Sequence, residues 1–348
     1  MNTLPCARVD RSASPQPRSS RLRAASILGA IATAIVGVTA SPATAAVVYA
    51  VSASSGEMIR FDTSNPAATR TTVLAGGSLV NPTAMAVGPD GNLYLGESGD
   101  GSTFAPRITR FEVDTLTIST VYAFSAFEVF PGSLAFKGSN LLIGRSPTFA
   151  NTGPIVQLTN ATGGTPAVSD YTTGGSLASS PGLAVASDGR LFVSDQTYNF
   201  TTSIASGPVK QFDAAGNYVG EVIADGASGL AGPAGLAIDG SSLFTASLMS
   251  GTVLKTDLDT GTTTLFASTG AAFEASVLAL LADGSLLVGS GSGSGLIYHF
   301  DANGTLMSTF ASGLGQIGGI VVMPTPVAVP GGGGLLAAVL LGARRRRR

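Results

Sequence analysis

Cysteine is nearly absent from this chain: Cys6 is the only one in 348 residues, tryptophan is missing, and histidine occurs once, as His299. Beyond residue 6 these gaps exclude disulfides, thiolate metal sites and cysteine nucleophiles. A single histidine leaves any Ser-His-Asp relay only one candidate base. It sits between Tyr298 and Phe300 in an alternating pattern, the setting of an ordinary sheet residue. Nucleophile-elbow, H-E-x-x-H, phosphate-loop and EF-hand spacings are all missing. No catalytic residue and no metal set is therefore assigned. Charge is scarce too, at 11% of residues, and no long stretch carries a helical period.

The two ends differ from the middle. Residues 1–24 are polar and basic, and an uncharged apolar run from Ala25 to Val38 follows. Pro42-Ala43-Thr44-Ala45-Ala46 then supplies small residues of the A-x-A cleavage type. Basic, apolar and small-residue regions in this order predict a secretory signal over 1–45. The run is short for a membrane span, which takes about 20 apolar residues. With five basic residues in the signal and five more in Arg344–Arg348, nine Lys+Arg face 20 Asp+Glu in the body, a formal charge of −11. Nucleic acid is an unsuitable partner for so acidic a body, because affinity for phosphates comes from Lys and Arg.

What the body has is a repeat. Ala84-Met85-Ala86-Val87 leads to Asp90-Gly91 and then Leu93-Tyr94-Leu95. Leu183-Ala184-Val185 leads to Asp188-Gly189 and Leu191-Phe192-Val193, and Leu278-Ala279-Leu280 leads to Asp283-Gly284 and Leu286-Leu287-Val288. Asp-Gly between two apolar runs predicts a hairpin with a type I′ turn, so the aspartates read as turn residues. A third run follows, ending in Phe-Asp at Phe61-Asp62, Phe212-Asp213 and Phe300-Asp301. A second turn and a fourth run, Tyr218 to Ile223 or Leu306 to Ala311, close the unit. Four strands in meander order make one propeller blade.

The phase of the repeat falls on Ala86, Ala135, Ala184, Ala237 and Ala279, at spacings of 49, 49, 53 and 42 residues. Propeller repeats run about 40–50 residues. In one unit Lys137-Gly138-Ser139-Asn140 replaces the Asp-Gly turn. The body starts in mid-unit, with Val47–Val51 in the second-strand place, and the missing first strand recurs as Gly318–Met323. The fold class is therefore all-β: a six-bladed β-propeller over 46–323, closed by pairing Gly319–Met323 beside Val47–Val51. A seven-bladed ring is the alternative, prompted by the 53-residue unit.

Gly182-Leu183-Ala184-Val185…Asp188-Gly189-Arg190-Leu191-Phe192-Val193-Ser194-Asp195 and Gly235-Leu236-Ala237-Ile238 resemble NHL-type repeats, and more broadly the lactonase and gluconolactonase propellers. The second resemblance implies a divalent metal held by Glu, Asn and Asp in the channel. The Glu-Gly-Pro…Trp phrase that accompanies that site is absent, so the metal site is not carried over.

Residues 324–348 combine a Pro/Gly spacer, an apolar segment and five arginines. This order resembles a PEP-CTERM sorting signal, which implies an exosortase-type processing enzyme as partner. Val329-Pro330 matches the motif, whereas Gly331 and Gly332 stand where Glu and Pro are expected. Val327 to Ala343 is 17 residues, the lower limit of a span. Arginines directly after it hold that end on the cytoplasmic side, so membrane contact through this segment is expected, at least in transit.

Three long loops between second and third strands, Gly96–Pro106, Gly144–Pro154 and Ser194–Gly207, carry Glu97, Asp100, Arg145, Asp195, Tyr198 and Asn199. Loops on a rigid scaffold are where binding residues concentrate. An acidic cluster facing one arginine suits Ca²⁺ or a polar ligand such as a glycan; no other cofactor is called for. The expected function is binding or scaffolding by an exported protein of the cell surface, outer envelope or extracellular matrix. The alternatives are a lactonase-like hydrolase with a metal in the channel and a purely structural matrix protein.

Overall fold

A computed structural model of the protein describes residues 45–100, 105–146, 152–199 and 201–324. The expected signal up to residue 44 and the tail from 325 onward, Val329 and Pro330 included, lie outside the described residues.

The body is a ring of six four-stranded antiparallel blades. The first holds β1 (Val47–Ser52), β2 (Met58–Asp62) and β3 (Thr71–Leu74). The second runs β4 (Pro82–Val87), β5 (Leu93–Glu97), β6 (Arg107–Glu112) and β7 (Thr117–Ala123). The third runs β8 (Pro131–Lys137), β9 (Asn140–Arg145), β10 (Val156–Thr159) and β11 (Ala167–Asp170). The fourth begins with β12 (Leu183–Val185) and β13 (Leu191–Ser194), makes a small hairpin of β14 (Thr197–Asn199) and β15 (Ile204–Ser206), and ends with β16 (Val209–Phe212) and β17 (Tyr218–Ile223). That inserted hairpin accounts for the 53-residue repeat without a seventh blade. The fifth is β18 (Pro233–Asp239), β19 (Ser242–Ser247), β20 (Thr252–Asp257) and β21 (Thr262–Ser268). The sixth is β22 (Val277–Leu280), β23 (Leu286–Gly289), β24 (Ile297–Phe300) and β25 (Leu306–Ala311). The last strand, β26 (Ile317–Val322), becomes the innermost strand of the first blade.

Closure takes the expected register. Val48 faces Val322, Tyr49 faces Val321, Ala50 faces Ile320 and Val51 faces Gly319. The Met323 amide donates to the Val47 carbonyl at 2.8 Å. This pairing covers the edge that β1 would otherwise expose.

The core lies between blades, not within one. Val48, Ala50, Ile59 and Phe61 pack against Ala279, Leu287, Ile297 and Phe310 of the sixth blade. Their strand neighbours Tyr49, Val51 and Met58 pack on Leu93, Leu95 and Phe111 of the second. Successive side chains of a strand point to opposite faces, and here both faces meet another blade. The second strands therefore read as unbroken apolar runs, where a sheet with one wet face would alternate. Outer strands such as β7 and β21 are largely exposed and carry mostly Thr and Ser there, with Ile118 and Leu265 as apolar exceptions.

The Asp-Gly turns differ from the expected type I′ form. Gly91, Gly189 and Gly284 take φ of +76°, +86° and +81°, but the aspartates before them are not among the positive-φ residues. The Gly91 amide donates to Gly88 O at 2.9 Å and Gly88 N to Asn92 O at 2.7 Å. These are three-residue loops, a turn closed by a left-handed glycine. The aspartates still work as turn residues: Oδ1 of Asp188 accepts the Arg190 amide at 3.0 Å, and Oδ1 of Asp283 accepts that of Ser285 at 3.0 Å. Asp213 and Asp301 cap the next turn of their blades in the same way.

Candidate functional site

The six innermost strands meet around the axis. Glycines make the approach possible: a Cβ on Gly182 would strike the Ala234 carbonyl oxygen of the next blade, and one on Gly318 that of Pro82. Hydroxyls then latch blade to blade. Ser133 donates to Ser180 O at 2.6 Å, Ser194 to Ala234 O at 2.5 Å, and Thr83 to Pro131 O. The axial space left is only about 90 Å³, and among the described residues no Asp, Glu, His, Lys or Arg lines it.

Above it, on the face carrying the loops between second and third strands, the channel widens into a mouth of about 330 Å³. Its walls combine those loops with the starts of the innermost strands, and include Gln196, Tyr198, Leu248, Phe273, Ser276 and Gln316. Among the described residues no charged side chain lines the mouth. Among the described residues no group of three or more His, Cys, Asp and Glu is placed to hold a metal ion.

Of the six residues singled out in the sequence, only Tyr198 lines this mouth. Glu97 is fully buried and fully engaged. Arg107 grips it with two bonds, Nε to Oε1 at 2.9 Å and Nη2 to Oε2 at 2.7 Å; Thr109 donates to Oε1, and the Val80 amide to Oε2 at 2.6 Å. The carboxylate in return pushes the Arg107 guanidinium pKa up, although burial opposes this. Asp195 repeats the device: Oδ1 accepts the Ala178 amide at 2.7 Å and Oδ2 pairs with Lys210 at 2.6 Å. In the fifth blade Ser247 Oγ takes the same part toward the Ala231 amide at 2.8 Å. These residues pin the chain leading into the innermost strand. Arg145 donates to Pro154 O at 3.1 Å and to Glu128 O at 2.7 Å, and burial lowers its pKa. Asn199 Oδ1 caps the β14–β15 hairpin by accepting from Thr201 N at 2.9 Å. Asp100 is exposed, beside a stretch that is not described.

The mouth residues that sequence reading passed over are Gln196, Phe273 and Ser276. Gln196 is 3% exposed; its Nε2 donates to Pro233 O at 2.8 Å, and its Oε1 has no hydrogen-bond partner among the described residues. Phe273 holds a left-handed backbone, φ +65°, which a bulky residue adopts at a cost. Three bonds lock it there: its amide donates to Leu248 O at 2.7 Å, and its carbonyl accepts from Gly291 N at 2.9 Å and Ser292 N at 3.1 Å. Neighbouring Glu274 clasps the same loop, accepting from Ser292 Oγ at 2.6 Å, Ser294 Oγ at 2.8 Å and Tyr298 OH at 3.3 Å. Burial alone would raise the Glu274 pKa; these hydroxyls outweigh it and lower the pKa. The one available signal was a lone aromatic in the small-residue loop Gly270-Ala271-Ala272-Phe273.

No protein-family pattern matches the chain, and no curated protein matches it. Solved structures do. A chain of the nidogen–laminin complex superposes with a TM-score of 0.63 at 13% identity, covering 80% of this chain and 98% of that one. TolB from Acinetobacter baumannii gives 0.56 at 15% identity, over 81% of this chain and 67% of that one. A Bacteroides fragilis protein provisionally named 6-phosphogluconolactonase gives 0.54 at 14% identity, over 82% and 99%. At such identities the likeness is one of fold: a β-propeller. A component of a protein complex and a protein named for an enzyme share that scaffold, and a shared fold does not transfer an activity.

Proposed function

We propose that this protein is an exported binding propeller of the cell surface or extracellular matrix, whose ligand seats in the mouth of the channel. The uncharged mouth carries the reading. A concave site framed by hydroxyl, amide and aromatic groups on rigid loops is built for recognition. A lactonase-like reaction through a divalent ion, which the name of the Bacteroides neighbour favours, needs carboxylate or imidazole donors converging on the axis to hold the ion. The described lining offers only backbone carbonyls, hydroxyls and neutral amides there, while Glu97 and Asp195 are committed to Arg107 and Lys210. Export follows from the signal over 1–45. Attachment follows from the tail, with Val329-Pro330 as the sorting motif, an exosortase-type enzyme as processing partner and the apolar segment in the membrane during transit.

The test uses the full chain expressed in its native host. Intact mass should show residues 1–45 removed, and the protein should be retained on washed host matrix material in the presence of EDTA. Ser276→Trp, which fills the mouth, should abolish retention without lowering the melting temperature. Retention that survives this substitution, or divalent-dependent lactone hydrolysis, would overturn the reading.

A further inference from the structure

We infer that the ligand at the mouth is a neutral carbohydrate, lying with the apolar face of a sugar ring on Phe273 and read by Gln196 and Ser276. This rests on the mouth being the binding surface. It adds the ligand's chemical class and the residues that select it.

Three independent observations converge. The first is charge. The body carries an excess of acidic residues, yet among the described residues none lines the mouth. An anionic ligand would find no cation there, and a cationic one no carboxylate; a charge brought in would be desolvated without compensation.

The second is Phe273. A bulky residue in the left-handed region is strained, and strain of this kind persists only where surrounding structure enforces it. Here the enforcement is unusually complete: the Leu248 carbonyl, the Gly291 and Ser292 amides, and the Glu274–serine clasp one residue on. The outcome is an aromatic side chain in the wall of the mouth, only half-buried. A glycine would fit this backbone without strain, so the backbone alone gives no reason for a phenylalanine.

The third is Gln196. It is 97% removed from water by the scaffold (3% exposed), and its amide nitrogen is fixed on Pro233 O. Its Oε1 has no hydrogen-bond partner among the described residues, in a residue that lines the mouth. Ser276 Oγ, half-buried in the same wall, likewise has none among the described residues. An oriented acceptor and a rotatable hydroxyl around an aromatic platform match a ring with apolar C–H faces and hydroxyls at its rim. Aromatic side chains supply that mixed character, large apolar area at low conformational cost. At about 330 Å³ the mouth lies at the small end of ligand pockets, which run roughly 300–1,000 Å³, so it takes a short oligosaccharide end and not a whole polymer face.

The test is calorimetric titration of the full chain with cellotriose, maltotriose and chitotriose, against trigalacturonate and 6-phosphogluconate as anionic probes. At least one neutral probe should bind, and neither anion should. Phe273→Gly should weaken that binding roughly tenfold or more, as loss of an aromatic anchor does, while keeping or raising the melting temperature because the strain is removed. Ser276→Ala should weaken binding several-fold with unchanged stability. Neutral binding that Phe273→Gly leaves intact, or a Phe273→Gly protein that melts well below wild type, overturns the assignment of Phe273 as platform. If only the anions bind and Phe273→Gly abolishes that binding, the carbohydrate class fails while the mouth survives as the site. If none of the five probes binds, the carbohydrate inference falls, and the retention experiment above decides the mouth separately.

Discussion

Ile320 lies opposite Ala50 in the ladder that closes the ring, and both belong to the cluster joining the first and sixth blades. The end of the body is thus an inner strand of its beginning. Ile320 is 4% exposed, and its Cδ1 lies against Gly289 of the sixth blade.

Ile320→Ala should therefore destabilise the whole ring, by about 2–5 kcal/mol, the range for truncating a buried isoleucine. Urea unfolding would show the midpoint fall with an unchanged slope. A chain ending at Gly315, which lacks β26, should lose the cooperative transition altogether. A normal transition in that truncation would show that closure is not what holds the fold.

Arg107 and Glu97 make a lopsided pair: the carboxylate is wholly buried and the guanidinium side chain is 35% exposed. Arg107→Met should cost more than an ordinary surface change, up to about 3 kcal/mol. That is the lower end for stranding a buried charge, because water still reaches the arginine side. Glu97→Gln combined with Arg107→Met should recover much of the loss in chemical denaturation, as expected if the pair pins the chain before β4 and holds no ligand.

Thr245 is fully buried and its Oγ1 has no hydrogen-bond partner among the described residues. Thr245→Val keeps the shape and removes the orphaned hydroxyl. It should stabilise by about 1 kcal/mol, read as a higher melting temperature with no change in fold by circular dichroism.

His299 is the single imidazole, and its Nε2 shares a hydrogen bond with Ser285 Oγ at 3.0 Å. Burial lowers its pKa from the ordinary 6.5, against the opposing pull of Asp283. Between about pH 6.5 and the lower native value, the unfolded chain therefore binds more protons than the native one. Stability must fall as pH drops through that window, by at most about 1.4 kcal/mol per pH unit. His299→Gln should flatten the urea midpoint between pH 7.5 and 5.5. A variant with wild-type pH dependence there would remove His299 as the cause.

The repeat phase, the blade boundaries and the closing register were legible in the chain because a propeller repeats one local pattern and buries both faces of its middle strands. Leu191-Phe192-Val193 and Tyr49-Ala50-Val51 are apolar throughout for that reason. The turns were legible in composition but not in form: Asp-Gly announces a reversal, whereas the extra residue that makes it a three-residue loop shows only in which amide meets which carbonyl, as with Gly91 N on Gly88 O.

The site was the least legible part. Glu97 and Asp195 stand out in sequence as paired acids on long loops. Their partners Arg107 and Lys210 lie one strand later, and the amides they cap, Val80 and Ala178, one loop earlier. Local sequence therefore determined the blades, their number and their order, since those follow from short-range periodicity and turn chemistry. Which side chains face the axis was decided only when six blades closed. A mouth drawn from Gln196, Phe273 and Ser276 requires residues from separate blades to converge, and that convergence is a property of the ring and of no single repeat.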